Sequence, residues 1–222
     1  MIDLLVMTDG RRGCIEPTIE SLAMLDVSGA PVVTRTIHDD SGDPNYRRWL
    51  QRTYPDFDVI STPGRSGFGG AIRSAWAHLR TLSAPFLYIT EDDFVIQEPI
   101  RLREMIAVLD VAPNVVQLVL KRQPWNAEEI AAGGIVEKDP DDYTEAGVYG
   151  YTYTVHRRFF STNPYLARRS LLEHNWPTGP QSEGHFTHQL LVDRDLRFAF
   201  WGAKYARPAV EHIGAQRVGI GY

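Results

Sequence analysis

Three consecutive carboxylates, Glu91-Asp92-Asp93, follow the apolar run Phe86-Leu87-Tyr88-Ile89 and Thr90. Like charges held this close repel, so an offsetting positive charge is expected beside them. A hard divalent cation such as Mg²⁺ or Mn²⁺ would supply it, because these ions take oxygen ligands and keep positions for water or phosphate. The chemistry implied is metal-assisted handling of a phosphorylated substrate. The other reading is a solvated acidic turn. Position favours the first. Large aromatic and β-branched residues without polar alternation compose a central parallel strand covered on both faces. Open α/β sheets bind ligands beyond the carboxyl ends of such strands.

Two other polar clusters follow expected strands. His38-Asp39-Asp40-Ser41-Gly42-Asp43 ends the run Pro31–Ile37. Thr62-Pro63-Gly64-Arg65-Ser66-Gly67-Phe68-Gly69-Gly70 follows Phe57–Ile60 and opens a helix with Phe68, Ile72, Trp76 and Leu79 at core spacing. This glycine-rich stretch is neither a Walker loop nor a GxGxxG fingerprint. Its glycines still allow close backbone approach, and the helix amino end favours an anion. His185 and His188 lack a nearby carboxylate to complete a zinc pattern. The single Cys14 rules out an intrachain disulfide and a multi-cysteine zinc site.

The strand followed by Glu-Asp-Asp resembles the DxD-type motif of GT-A-fold glycosyltransferases, the group that includes family 2. The resemblance implies a metal on Asp93, helped by Asp92 or Glu91, that holds the diphosphate of a nucleotide sugar. It implies a nucleoside pocket from Thr8, Arg11, Asp39 and Asp40, although the usual Asp-Asp-Gly-Ser here reads Asp39-Asp40-Ser41-Gly42. Arg65 and Arg73 become the candidates to meet phosphate, and Asn163 and Arg168 to face the acceptor. Glu183 stands where inverting members place a general base, with Glu183-Gly184 replacing the usual Glu-Asp pair. His212, in His212-Ile213-Gly214, resembles the late histidine that completes the metal shell, and Arg217 would stabilise the leaving diphosphate.

The activity implied is hexosyl transfer with inversion from a nucleotide sugar, UDP-linked by expectation, to an acceptor hydroxyl, with Mn²⁺ or Mg²⁺. The acceptor is open. A hydroxymethylated DNA base is one reading, with phosphates met by the pairs Arg157-Arg158 and Arg168-Arg169. A nucleotidyltransferase is the rival enzyme, and Gly10-Arg11-Arg12-Gly13 fits its basic glycine-rich loop poorly. A nucleotide-sugar-binding module without turnover is the non-enzymatic rival.

The elements that must position these residues fit one α/β domain, since 222 residues suit a single full core. The expected architecture is GT-A-like: a Rossmann-type, mostly parallel sheet flanked by helices, with a smaller antiparallel acceptor-side sheet. Residues 1–97 would bind the nucleotide sugar and 98–222 the acceptor. The sequence predicts strands at 2–7, 31–37, 57–60, 115–120, 148–155, 196–201 and 205–209. It predicts a helix with Ile15, Ile19 and Leu22 on one face and Pro17 in its first turn, and helices over 44–54 with Asp43 as N-cap, over 98–110, and from Asn163-Pro164. Residues 121–143 read as a polar excursion, with Trp125 as a lid or acceptor contact. A net charge of −5 argues against broad nucleic-acid binding. No run approaches a membrane span and the amino-terminal apolar stretch is short for a signal, so a soluble cytoplasmic protein is expected.

Overall fold

The computed structural model describes residues 1–214. Strand β1 (Ile2–Thr8) leads to helix α1 (Arg12–Ser21), then to β2 (Leu25–Asp26) and β3 (Val32–Asp39). Helix α2 (Pro44–Thr53), β4 (Asp58–Ser61), α3 (Gly67–Leu79) and β5 (Phe86–Glu91) follow. Next come β6 (Phe94–Ile96), β7 (Ile100–Arg101), α4 (Leu102–Val111) and β8 (Val115–Val119). Short helices α5 (Ala127–Ala132) and α6 (Ile135–Lys138) precede the hairpin of β9 (Thr144–Val148) and β10 (Tyr151–His156). Strand β11 (Tyr165–Arg168), helix α7 (Ser182–Leu191), β12 (Arg197–Trp201) and β13 (Val210–His212) end the described chain.

Nine strands make one sheet in the order β4-β3-β1-β5-β11-β8-β12-β10-β9. Strands β4, β3, β1 and β5 are parallel neighbours, while β11 runs antiparallel to both β5 and β8. Strand β8 therefore points the same way as β5, and β12 pairs with it in parallel. The carboxyl ends of β1, β3, β5, β8 and β12 thus share one edge, and β11 starts from it. The antiparallel strands β10 and β9 continue this sheet. A separate antiparallel pair joins β13 to β6.

The central strands are mostly apolar because both faces are covered. Leu4, Val6 and Tyr88 pack with Ile15 of α1 and Met105 and Leu109 of α4. Leu5, Met7, Leu87 and Ile89 pack on the other face with Ile72 and Trp76 of α3 and Phe186 of α7. Asp43 caps α2 as expected, accepting from the Asn45 amide at 2.8 Å.

Several expected elements shift. Asn163-Pro164 opens strand β11, not a helix, because Tyr165, Leu166 and Ala167 fill a fully buried slot between β5 and β8. Strand pairing there overrides the local capping signal. Helix α4 starts at Leu102, later than expected, since Ile100–Arg101 pairs with β2. The late strand runs at Val210–His212 instead of 205–209, drawn to β6. Helix α1 begins at Arg12, which puts Pro17 beyond its first turn. The stretch 121–143 contains α5 and α6.

Candidate active site

The turn between β5 and β6 places Asp92 and Asp93 at the shared edge. Thr8, the last residue of β1, donates its hydroxyl to Asp92 Oδ2 at 2.6 Å and shares a hydrogen bond with the Tyr46 hydroxyl at 2.8 Å. Thr18 of α1 donates to the Asp92 carbonyl at 2.7 Å. The Arg11 guanidinium reaches Asp92 Oδ1, Asp93 Oδ2 at 2.6 Å and Asp9 Oδ1 at 2.7 Å. Burial opposes the Arg11 charge, but Asp92, Asp93 and Asp9 outweigh it and raise its pKa. Burial raises the Asp92 carboxyl to about 7 against the pull of Arg11. Asp93 goes the other way. Burial opposes its charge, yet His212 and Arg11 hold its carboxyl below the usual range. Burial and the neighbouring Asp93 push Glu91 up to about 8.

Asp93 and His212 form the best-suited pair of metal donors. His212 Nε2 lies 3.2 Å from Asp93 Oδ2, and among the described residues the buried Asp93 Oδ1 has no hydrogen-bond partner. The Ile213 amide donates to the Asp93 carbonyl at 2.8 Å, which locks strand β13 against the motif. A Cβ on Gly214 would lie 2.3 Å from Asp93 Oδ2 and 3.0 Å from His212 Nε2, so glycine leaves a hollow over both donors. Among the described residues no three His, Cys, Asp or Glu side chains converge into a closed cage. Two protein ligands still suit Mg²⁺ or Mn²⁺, which fill the rest of their shell with water and phosphate. The residues present therefore fit such an ion. Gly214→Ala is expected to lose at least roughly tenfold in turnover, because Asp93 is short, buried and ion-paired and yields at a cost of about 1–3 kcal/mol. Steady-state kinetics beside a thermal melt would check it; unchanged turnover would show that the hollow is idle.

Beside this pair opens a cavity of about 560 Å³, walled by Phe68, Phe94, Trp125, Phe159, Phe160 and Phe200. Glu91, Asp93, His212, Asn163 and Glu183 also face it. Glu183 sits in the first turn of α7, and its Oε1 accepts from the Thr162 amide at 2.9 Å and hydroxyl at 3.3 Å. Burial raises the Glu183 pKa, although Thr162 opposes the shift. A carboxylate with a raised pKa, facing a cavity and held by donors, is placed to take a proton.

The remaining sequence candidates fall in different places. Both Asp40 oxygens are taken up at the start of α3, by the amides of Ser66 and Gly67, each at 2.8 Å. Asp39 Oδ1 accepts from the Ser41 amide at 2.9 Å, and Oδ2 has no hydrogen-bond partner but lies 3.7 Å from Arg47. Arg65 pairs with Asp9 at 2.9 Å near Arg11. Arg73 donates to the Pro177 carbonyl at 2.8 Å. Arg168 pairs across from Phe86, at the amino end of β5 and away from the carboxylates. Arg217 lies outside the described residues. His185 and His188 are exposed on α7.

The arginine pairs proposed to meet DNA are largely engaged within the chain. Arg169 pairs with buried Asp3, Arg157 donates to the carbonyls of Asp193 and Leu196, and Arg158 pairs with Asp139 and Asp142.

Sequence reading missed Thr162, Lys121 and Gln123. Gln123 accepts from the His212 amide at 2.9 Å and donates to its carbonyl at 3.0 Å. Trp125 rests on the His212 ring with centroids 3.9 Å apart, and Phe94 stacks on that ring at 4.6 Å. Nothing local in the sequence marks Gln123. Thr162 adjoins the candidate Asn163, and Gly214 closes the His-x-Gly motif already singled out.

A parallel sheet with carboxylates beyond its central strand, a late histidine strand folded back on them, and helices on both faces constitute the GT-A-type fold of glycosyltransferases. Among solved structures the chain is similar to TarS of S. aureus, residues 1–349 with UDP-GlcNAc, at 15% identity and TM-score 0.64 over 97% of this chain and 59% of that one. It is similar to the mannosyltransferase PcManGT of Pyrobaculum calidifontis with GDP-Man and Mn²⁺, at 17% identity and TM-score 0.62 over 98% and 58%. It also resembles CMP:2-keto-3-deoxy-manno-octonic acid synthetase with CTP, at 12% identity and TM-score 0.53 over 91% and 89%. The chain spans about three-fifths of the length of the first two structures. No protein-family model matches it. No curated protein sequence matches it either. Among the described residues, no helix is long and apolar enough to cross a membrane.

Proposed function

We propose that this chain transfers a sugar from a nucleoside-diphosphate sugar to an acceptor hydroxyl, with inversion. One observation carries the reading: a half-buried carboxylate, Glu183, faces the same cavity as the Asp93–His212 donor pair. Structural neighbours crystallised with UDP-GlcNAc and with GDP-Man and Mn²⁺ support the donor class.

Asp93 and His212 would hold Mn²⁺ or Mg²⁺, which would act there as a Lewis acid on the leaving diphosphate. Imidazole favours Mn²⁺. Arg11 and Arg65, joined through Asp9, stand at the same rim and bring positive charge to the phosphates. The nucleoside lies along the ends of β1 and β3, by Thr8 and Asp39. Glu183 takes the proton of the acceptor hydroxyl. That oxygen bonds to the anomeric carbon as the bond to the diphosphate oxygen breaks, and the electron pair leaves with the nucleoside diphosphate. The engaged arginine pairs leave the DNA-base acceptor without a phosphate contact of its own.

Thermal melting with UDP, GDP and CDP, with and without Mn²⁺, tests the donor site. A ligand that binds only the folded state raises the midpoint by mass action. The expected result is a Mn²⁺-dependent rise with one diphosphate, followed by turnover of its sugar conjugate. Consumption of CTP with pyrophosphate release, in place of sugar transfer, would overturn the proposal in favour of a nucleotidyltransferase.

A further inference from the structure

Lys121 stands two residues beyond β8, on the cavity wall, and is only 7% exposed. Among the described residues its ammonium makes one hydrogen bond, a 3.5 Å contact to the Lys204 carbonyl, and no carboxylate lies within ion-pair distance. Glu137 attracts it through space without touching it, and burial lowers its pKa. A buried ammonium without a partner costs several kcal/mol of desolvation. The long contact to the Lys204 carbonyl and the distant Glu137 offset only part of that cost.

The cavity's other lysine or arginine cation, and two of its carboxylates, are already engaged. Arg122 forms a two-armed pair with Glu129, at 2.7 and 3.1 Å, and Glu129 also accepts from the Trp125 amide at 2.8 Å. Asp93 is engaged by Arg11 and His212. Glu183 is held by Thr162. Lys121 is the cationic side chain on this wall without an ionic partner among the described residues.

We propose that Lys121 binds an anionic group of the acceptor, a carboxylate or a phosphate ester, so that the acceptor is a compact hydroxyl compound carrying one anionic group. This rests on the glycosyltransferase reading for the word acceptor, but not for the anion site itself. The aromatic walls cover the apolar faces of such a compound, and Lys121 fixes its orientation toward Glu183. A neutral analogue would leave the ammonium buried and unpaired, so discrimination is strong by construction.

The test uses the whole chain with saturating UDP and Mn²⁺ and three probes: methyl glucoside, glucuronate and glucose 6-phosphate. Calorimetric titration is expected to show at least roughly tenfold tighter binding of one anionic probe than of the neutral one. Preference for glucuronate assigns a carboxylate; preference for glucose 6-phosphate assigns a phosphate. Lys121→Met should abolish the preference and Lys121→Arg should restore part of it. Lys121→Met should also melt no lower than the wild type, since it removes an unpaired buried charge at similar volume. Equal binding of all three probes, binding of none, or a preference that survives Lys121→Met would overturn the inference. A lower melting point in Lys121→Met with the preference intact would assign Lys121 to the fold. Failure of UDP itself to bind would count against the donor reading instead, and the probes would then be titrated without it.

Discussion

Replacing Asp93 by asparagine is expected to cut turnover on the order of 10³-fold while the protein still folds. The physical reason is the distribution of charge around the residue. Asp93 Oδ1 has no hydrogen-bond partner among the described residues, so its removal strands no donor there. Oδ2 serves both Arg11 and His212, and Arg11 keeps Asp92 and Asp9 when Asp93 loses its charge. The fold therefore loses one of several contacts. The leaving diphosphate loses the ligand that would fix its neutralising ion. Lewis-acid stabilisation is worth several kcal/mol, and about 4 kcal/mol corresponds to roughly 10³ in rate. Turnover measured across a Mn²⁺ titration, with a melt of the same sample, separates the two effects. Full turnover in this variant, at any Mn²⁺ concentration, would remove Asp93 from the metal site.

How much of this was legible in sequence depends on how local each signal is. The strand ending in Glu91 announced itself, because a run buried on both faces has no polar alternation and its carboxylates can only fall at the end. His212 was legible by its motif and its order along the chain. Which carboxylate does what was not. Asp92 and Asp93 are neighbours in sequence, yet one turns inward to Thr8 and the other outward to His212. That division is set by residues 84 positions before and 119 after. Asp40 shows the same limit. An acidic residue after β3 fits a ligand pocket, but its oxygens end on Ser66 and Gly67, contacts made only once α3 has docked. The Asn163-Pro164 pair carries a strong local helix-start signal, and the empty slot between β5 and β8 defeats it. Lys121 was invisible for a related reason. A lysine after an apolar strand reads as a surface charge, and only chain some 80 to 90 residues later, at Lys204, Ala209 and Val210, closes over it.

Glu183→Gln is expected to lower kcat on the order of 10²–10⁴-fold, the range that positioned proton transfer contributes. The substitution is nearly isosteric. Gln keeps an oxygen that accepts from the Thr162 amide and hydroxyl, so the first turn of α7 stays anchored. The pH dependence distinguishes a base from an anchor. Burial raises the Glu183 pKa above its ordinary value of about 4.3, so a working base gains its charge only as pH climbs past that value. Wild-type kcat/KM should therefore rise along an acid limb displaced upward from the ordinary glutamate range, and the variant should lose that limb. Stability runs with the opposite sign. A carboxyl whose folded pKa exceeds its unfolded one binds more protons when folded, so it costs stability as pH rises above the unfolded value. Glutamine cannot ionise and escapes that cost. The variant should melt no lower than the wild type at pH 8 even though it turns over far more slowly. A variant that melts lower and keeps near-normal turnover would make Glu183 a structural anchor, and the reaction would then call for retention of configuration through another group.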